Sequence, residues 1–224
     1  MAFEAILFDC DGVLVDSEKI YVEVERDYLA RIGLNYSHDE YMTRFQGLAG
    51  VDFFATLDAD HRALGKGPLP ENFGPELDAA TMERIDRELL EISGIKQLLN
   101  AHSGPRAVAS SSRLNRLNHK LQHTGLYDFF KPHIYSGEQV ENGKPAPDLF
   151  LFAANNLDVE PDRCLVIEDS SNGVKAGLAA GMTVWGFVGG GHSHNGHGAQ
   201  LQEAGAHKVV DSHRNLSELL FASN

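Results

Sequence analysis

The chain has 224 residues, room for one large or two modest domains, and its 42% hydrophobic content suits a globular protein. Its 19 lysines and arginines stand against 32 aspartates and glutamates, a formal net charge of −13, which argues against a nucleic-acid face and against an anionic membrane surface. No apolar run approaches the ~18 residues of a membrane span, no basic segment precedes a signal-peptide core, and Cys10 and Cys164 sit in apolar strand-like settings, as reduced core residues of a cytoplasmic protein do.

The apolar run from Ala5 to Phe8 stops at two carboxylates one residue apart, Asp9 and Asp11, followed by Gly12 and a second apolar run. Such a run bounded by a turn signal reads as a buried strand. Asp9 and Asp11 then stand at its carboxyl end, where open α/β sheets bind ligands. With extended backbone both side chains leave on one side and Cys10 on the other. Ser17 suits a helix cap, and Ile20, Val24, Tyr28 and Ile32 mark an apolar stripe that Gly33 ends. Helices are expected over about 39–45 and 51–64. After the breaker-rich stretch 65–70 another spans about 75–91, with Met82, Ile85 and Leu89 on one side. Helices alone from 17 to 91 indicate an inserted domain.

Ile92-Ser93-Gly94 reads as the return. A helix to about 102 precedes a strand over 106–109 that closes on Ser110-Ser111-Ser112. A helix carrying Leu114, Leu117 and Leu121 and a short strand over 133–135 follow. Gly143-Lys144-Pro145-Ala146-Pro147 opens a helix to about 157, and a strand over 164–167 ends in Glu168-Asp169. Gly173, Gly177 and Gly181 give the next helix a small-residue face. Strands over 183–187 and 208–210 flank a short helix near Gln200. This alternation predicts an α/β fold, a doubly wound parallel sheet with a Rossmann-like core over 1–16 and 92–224, and a smaller all-helical domain over 17–91.

Asp9 and Asp11, Ser110, Lys144, and Glu168 with Asp169 fall at or just after the carboxyl ends of four successive strands. In a parallel sheet these ends meet in one crevice. Two carboxylates as close as Asp9 and Asp11 suggest a metal site, an acid/base pair, or both. Taken singly, Ser110 also suits a helix cap, Lys144 a solvated loop, and Glu168-Asp169 an acidic helix start. Four such coincidences at strand ends do not arise by chance. The set suits phosphoryl transfer, in which a nucleophile approaches phosphorus while the charge on its oxygens is neutralised. Asp9, Glu168 and Asp169, with the backbone carbonyl of Asp11, offer hard oxygen ligands for Mg²⁺. Lys144, the Ser110 hydroxyl and the Ser111 N–H offer donors to a phosphate. Gly143-Lys144-Pro145 is no P-loop, which needs Ser or Thr after the lysine, and Gly189-Gly190-Gly191 is no dinucleotide fingerprint. His192, His194 and His197 lie in a polar loop, 189–198, where any metal binding is expected to be adventitious.

Asp9-Cys10-Asp11-Gly12-Val13-Leu14-Val15-Asp16-Ser17 resembles the first motif of the haloacid dehalogenase-like superfamily, in its phosphatase and β-phosphoglucomutase-like branch. Val108-Ala109-Ser110, Gly143-Lys144-Pro145 and Val166-Ile167-Glu168-Asp169-Ser170 resemble its later motifs, in order, so the likeness spans almost the whole chain. The resemblance implies a helical cap after the first strand, Asp9 as nucleophile, Asp11 as general acid/base and a cis Lys144–Pro145 bond. Dehalogenases of the superfamily lack the second aspartate, so Asp11 points away from dehalogenation.

A phosphatase and a phosphosugar mutase share this core and differ in the cap, for which Arg44, Gln46 and Gly47 are the candidate specificity residues. A mutase must grip a second phosphate. In β-phosphoglucomutases an arginine that follows a Lys-Gly-x-Ser element of the cap does so, and here Gly50 stands in its place and Gln46 in that of the lysine, while Tyr21 takes that of the hinge histidine. Arg44 or Lys66 could compensate. The expected activity is therefore Mg²⁺-dependent hydrolysis of a small phosphorylated metabolite, a sugar or sugar-acid phosphate. The alternative is a β-phosphoglucomutase-type mutase, and a non-catalytic binding protein is disfavoured because every motif residue is present. The expected assembly is a monomer or weak homodimer.

Overall fold

The computed structural model describes residues 3–45, 48 and 50–221. In chain order its elements are β1 (Ala5–Phe8), α1 (Glu18–Arg31), α2 (His38–Phe45), α3 (Gly50–Ala63), α4 (Phe73–Glu88), α5 (Ile95–Ala101), β2 (Arg106–Ser110), α6 (Leu114–His123), α7 (Tyr127–Phe130), β3 (Ile134–Ser136), α8 (Asp148–Leu157), β4 (Cys164–Glu168), α9 (Ser171–Ala179), β5 (Thr183–Phe187), α10 (His197–Glu203), β6 (Lys208–Val210) and α11 (His213–Phe221). They form two compact units, one of residues 1–17 and 89–224 and one of 18–88.

The larger unit is built on one all-parallel sheet of strand order β3-β2-β1-β4-β5-β6. This is the doubly wound α/β architecture predicted above. A parallel sheet covered on both faces needs strands that are apolar throughout, and every residue of β1 and β4 is buried. Burying side chains such as Leu7 and Phe8 contributes about 1.5–3 kcal/mol each. One face packs Ala5, Leu7, Ala107, Ala109 and Val166 against Leu149, Phe150, Ala153 and Val174 of α8 and α9. On α9, Gly177 lets the helix lie on the sheet, since a Cβ there would stand 2.6 Å from Val184 Cγ2. Gly181 lies past the helix end, so the small-residue face is shorter than the spacing suggested.

The strand order reverses direction between β1 and β4, which pair in the register Phe8↔Ile167. The next residues, Asp9 and Glu168, are thus delivered side by side at the switch point, where doubly wound sheets bind ligands.

The smaller unit is helical. α1 and α4 bury Ile20, Val24 and Leu29 and Leu77, Thr81 and Ile85. Leu29, not Tyr28, continues the α1 stripe; the Tyr28 ring instead lies under the Arg31 guanidinium at 4.1 Å. The helix expected to run to 91 ends at Glu88, because Leu90 C=O accepts from Asp16 N–H (3.0 Å), Ile92 N–H donates to Leu14 C=O (2.9 Å), and Glu91 bridges Val15 in the larger unit. α7 and the C-terminal α11 have no counterpart in the sequence reading. Both cysteines are buried free thiols. Among the described residues no helix is long and apolar enough to cross a membrane.

Candidate active site

Asp9 is the first residue past β1, held by its N–H to Ile167 C=O at 3.0 Å. Its Oδ1 accepts from Lys144 Nζ at 2.6 Å. The same ammonium reaches Glu168 Oε1 at 2.5 Å and Ala109 C=O at 2.8 Å, so one buried lysine ties together the ends of β1, β2 and β4. The Lys144–Pro145 bond is cis. Glu168 Oε2 accepts from Ser170 N–H and Oγ, both at 2.9 Å, and Ser170 Oγ in turn caps α9 through Gly173 N–H at 3.0 Å. A Cβ at Gly173 would collide with the Glu168 carboxylate. Asp169 Oδ2 lies 3.0 Å from His192 Nε2.

One oxygen each of Asp9, Glu168 and Asp169 lies within 4.8 Å of the others, which makes them the metal-ligand group found among the described residues. Burial pushes the Asp9 carboxyl well above its usual range, and Glu168, Asp169 and Asp11 push it further against the pull of Lys144. Burial and then Glu168 do the same to Asp169. Burial alone would depress Lys144, but Asp9 and Glu168 raise it, so it stays charged. Three carboxyl groups meet one lysine there, so full ionisation of the cluster calls for further positive charge of the kind one divalent cation supplies. The all-oxygen donor set suits Mg²⁺. The residues present therefore fit the metal.

Asp11 is in a different environment. Lys120 Nζ contacts both its carboxylate oxygens, at 2.6 Å for Oδ2, and Ser112 Oγ at 2.9 Å. Ser112 Oγ donates to Asp11 Oδ2 at 2.8 Å and Ser17 Oγ donates to Oδ1. Burial pushes this carboxyl up, but the Lys120 charge and the hydrogen bonds from Lys120, Ser17 and Ser112 outweigh it, and its pKa falls below the usual range. Ser17, expected as a helix cap, thus gives its hydroxyl to Asp11. Lys120 is not among the residues expected from the sequence, although a signal exists. It lies between Leu117 and Leu121 on the buried face of α6, where a lysine needs a partner.

Ser110 ends β2, and its Oγ accepts from Ser112 N–H at 3.1 Å. It is no helix cap, because α6 is preceded by Arg113 and its Leu114 N–H is met by Glu138 Oε2 at 3.0 Å. Ser111 accordingly sits in the loop, not at the helix start. Arg44 belongs to the smaller unit, where it pairs with Asp60. Gln46 and Gly47 lie outside the described residues. The His-rich loop is not merely polar. His192 is 6% exposed at its side chain against Asp169, and His197 Nε2 lies 2.7 Å from Asp169 C=O.

A sequence model described as haloacid dehalogenase-like hydrolase matches residues 3–181. The chain belongs to this family. As a haloacid dehalogenase-like hydrolase it is 30% identical over 185 residues to 6-phosphogluconate phosphatase of Escherichia coli, covering 82% of each chain. It is 32% identical over 220 residues to the phosphorylated carbohydrates phosphatase of Thermotoga maritima, covering 96% of this chain and 98% of the other. A haloacid dehalogenase family hydrolase from Deinococcus radiodurans, solved with phosphate and sodium bound, superposes with a TM-score of 0.83 at 38% identity, over 99% of this chain and 96% of that one. The family resemblance of the four sequence motifs is thus matched along the chain and in the fold.

Proposed function

We propose that the chain is a Mg²⁺-dependent phosphatase of small phosphorylated metabolites, of the sugar or sugar-acid phosphate class, acting through an aspartyl-phosphate on Asp9. The observation that carries this is the gathering of Asp9, Lys144, Glu168 and Asp169 at the β1–β4 switch point. Similarity to a 6-phosphogluconate phosphatase and a phosphorylated carbohydrates phosphatase supports the substrate class.

Asp9, Glu168, Asp169 and the backbone carbonyl of Asp11 would hold the metal. When bound, Mg²⁺ neutralises charge so that a carboxylate can approach an anionic ester. Lys144, the Ser110 hydroxyl and the Ser111 N–H receive the phosphoryl oxygens. Asp9 attacks phosphorus, the ester P–O bond breaks, and the leaving oxygen takes a proton from Asp11. Asp11 then removes a proton from water, which attacks the aspartyl-phosphate, breaks its P–O bond and frees Asp9 and inorganic phosphate. The described Asp11, ionised against Lys120, is in its base form, so acting first as an acid requires it to loosen from Lys120 and take up a proton.

Specificity is assigned to the smaller unit as a cap, around Arg44, Gln46 and Gly47. The mutase reading is weaker. The position of the arginine that would grip a second phosphate holds Gly50, and both candidate substitutes are engaged, Arg44 by Asp60 and Lys66 by Ile32 C=O at 2.7 Å. A panel of phosphorylated metabolites with Mg²⁺, read as released phosphate, is expected to give sugar or sugar-acid phosphates as best substrates. Asp9→Asn is expected to abolish turnover with the fold intact, and retained turnover would overturn the mechanism. Conversion of glucose 1-phosphate to glucose 6-phosphate without phosphate release would establish the mutase instead.

A further inference from the structure

We propose that His192 and His197 clamp Asp169 so that it offers one carboxylate oxygen to a cation, which biases the acidic cluster toward Mg²⁺ over Ca²⁺. The inference rests on the reading of Asp9, Glu168 and Asp169 as a divalent-cation site.

The loop after β5 is built onto the first motif. Gly191 N–H donates to Asp16 Oδ1 at 2.9 Å, and the loop is closed by Ser193 N–H to Gly190 C=O and His197 N–H to His194 C=O, both at 3.1 Å. This delivers two imidazoles to one residue. A carbonyl only accepts, so His197 Nε2 carries a proton and donates it to Asp169 C=O, while its Nδ1 accepts from Ser193 Oγ at 3.1 Å. His192 Nε2 lies 3.0 Å from Asp169 Oδ2, close enough for a proton on that nitrogen to be shared with the carboxylate. The two rings stand edge to face, 5.4 Å apart. Gly12, at φ +74°, leaves the room in which they meet. A Cβ there would collide with Asp169 Oδ2 and stand 2.6 Å from His192 Cε1.

A second observation points the same way. His192 Nδ1 is buried with no hydrogen-bond partner. A buried orphan nitrogen is costly, and the ring is held there with its other nitrogen on a carboxylate of the acidic cluster. The histidines do not assemble a site of their own, since the metal-ligand group among the described residues contains none of them. Their action is through Asp169, which makes them positioning residues.

The consequence follows from coordination chemistry. Ca²⁺ takes six to eight oxygens and often binds a carboxylate through both, whereas Mg²⁺ demands a compact octahedron and is satisfied by one. With Oδ2 held against the His192 imidazole, Asp169 has one oxygen left to give. Partners that orient a metal ligand commonly change metal affinity by about 10–100-fold when removed.

The test is calorimetric titration of the full chain with Mg²⁺ and with Ca²⁺, without substrate, for wild type, His192→Leu and His192→Gln. His192→Leu is expected to weaken Mg²⁺ by about tenfold or more and Ca²⁺ by less, so that the preference for Mg²⁺ shrinks. His192→Gln, which keeps an N–H, is expected to retain most of that preference. An unchanged ratio of the two affinities in His192→Leu overturns the clamp. Asp169→Asn separates the two readings. If it leaves Mg²⁺ binding intact, the cation site itself is wrong; if it abolishes binding while His192→Leu changes nothing, only the clamp is wrong. Should His192→Leu not fold, ¹⁵N spectra of the wild-type imidazoles decide. A protonated Nε2 on His192 whose resonance moves on adding Mg²⁺ supports the clamp, and a bare or unmoved Nε2 refutes it.

Discussion

Replacing Lys120 with methionine keeps most of the side-chain volume on the buried face of α6 and removes the charge that faces Asp11. The Lys120 side chain is fully buried and that of Asp11 is 15% exposed. Removing one partner of a buried pair costs about 3–5 kcal/mol, and the lower end applies because some solvent reaches Asp11. The pH dependence carries the diagnosis. In the wild type Asp11 titrates below its usual range, so its contribution is present above the ordinary carboxylate pKa and is lost as pH falls through the depressed value. Without Lys120 burial dominates, the folded pKa rises above the unfolded one, and stability is lost as pH rises. The gap between wild type and Lys120→Met is therefore widest near neutrality and closes toward acid. Urea unfolding of both proteins at about pH 8 and about pH 4.5 measures it. A loss under about 1 kcal/mol at the higher pH, or a gap that does not change with pH, refutes the reasoning.

Three other outcomes are expected. Saturating a chelator-treated sample with Mg²⁺ at about 100 times its Kd should stabilise the chain by about 2.7 kcal/mol; a melting temperature that does not respond contradicts the cation site. His213 lies against Phe187 with ring centroids 4.7 Å apart, and burial lowers its pKa from 6.5 to about 4. Its neutral form thus stabilises the fold fully above pH 6.5, and this contribution, about 3 kcal/mol, is lost as pH falls toward 4. His213→Leu should accordingly lose less stability than wild type over that interval, and parallel pH profiles would argue against it. Gly173→Ala places a methyl group against the Glu168 carboxylate, so a loss of about 1–3 kcal/mol and weaker Mg²⁺ binding are expected by calorimetry and denaturation, despite the better helix propensity of alanine.

The core strands were legible because each is a short apolar run bounded by turn residues, and the carboxylates, Ser110 and Lys144 because they interrupt or follow such runs. The element edges that differ have local causes. The chain leaves α4 at Leu89 because Leu90 and Ile92 bond to Asp16 and Leu14, residues far away in sequence. α11 escaped notice because its only local sign is Ser212, whose Oγ accepts from Asn215 N–H at 3.2 Å, and its buried Leu216 repeats too few times to show a period. What no pattern reports is pairing across the fold. Lys120 meets Asp11 over 109 residues of chain, and His197 meets Asp169 from the first turn of α10, behind a loop whose composition reads as solvated. Lysine on a buried helical face and histidine among glycines are visible beforehand; the partner is not.

The β1–β4 pairing has a consequence for synthesis. Lys144 follows Asp9 by 135 residues, and Glu168 follows Lys144 by 24. A nascent chain that has emerged only through β3 carries Asp9 and Asp11 without Lys144, Glu168 or Asp169. The ribosome must therefore release β4 before the acidic cluster and its lysine can meet, and a product truncated ahead of that strand would lack the proposed cation site however well its earlier helices had formed.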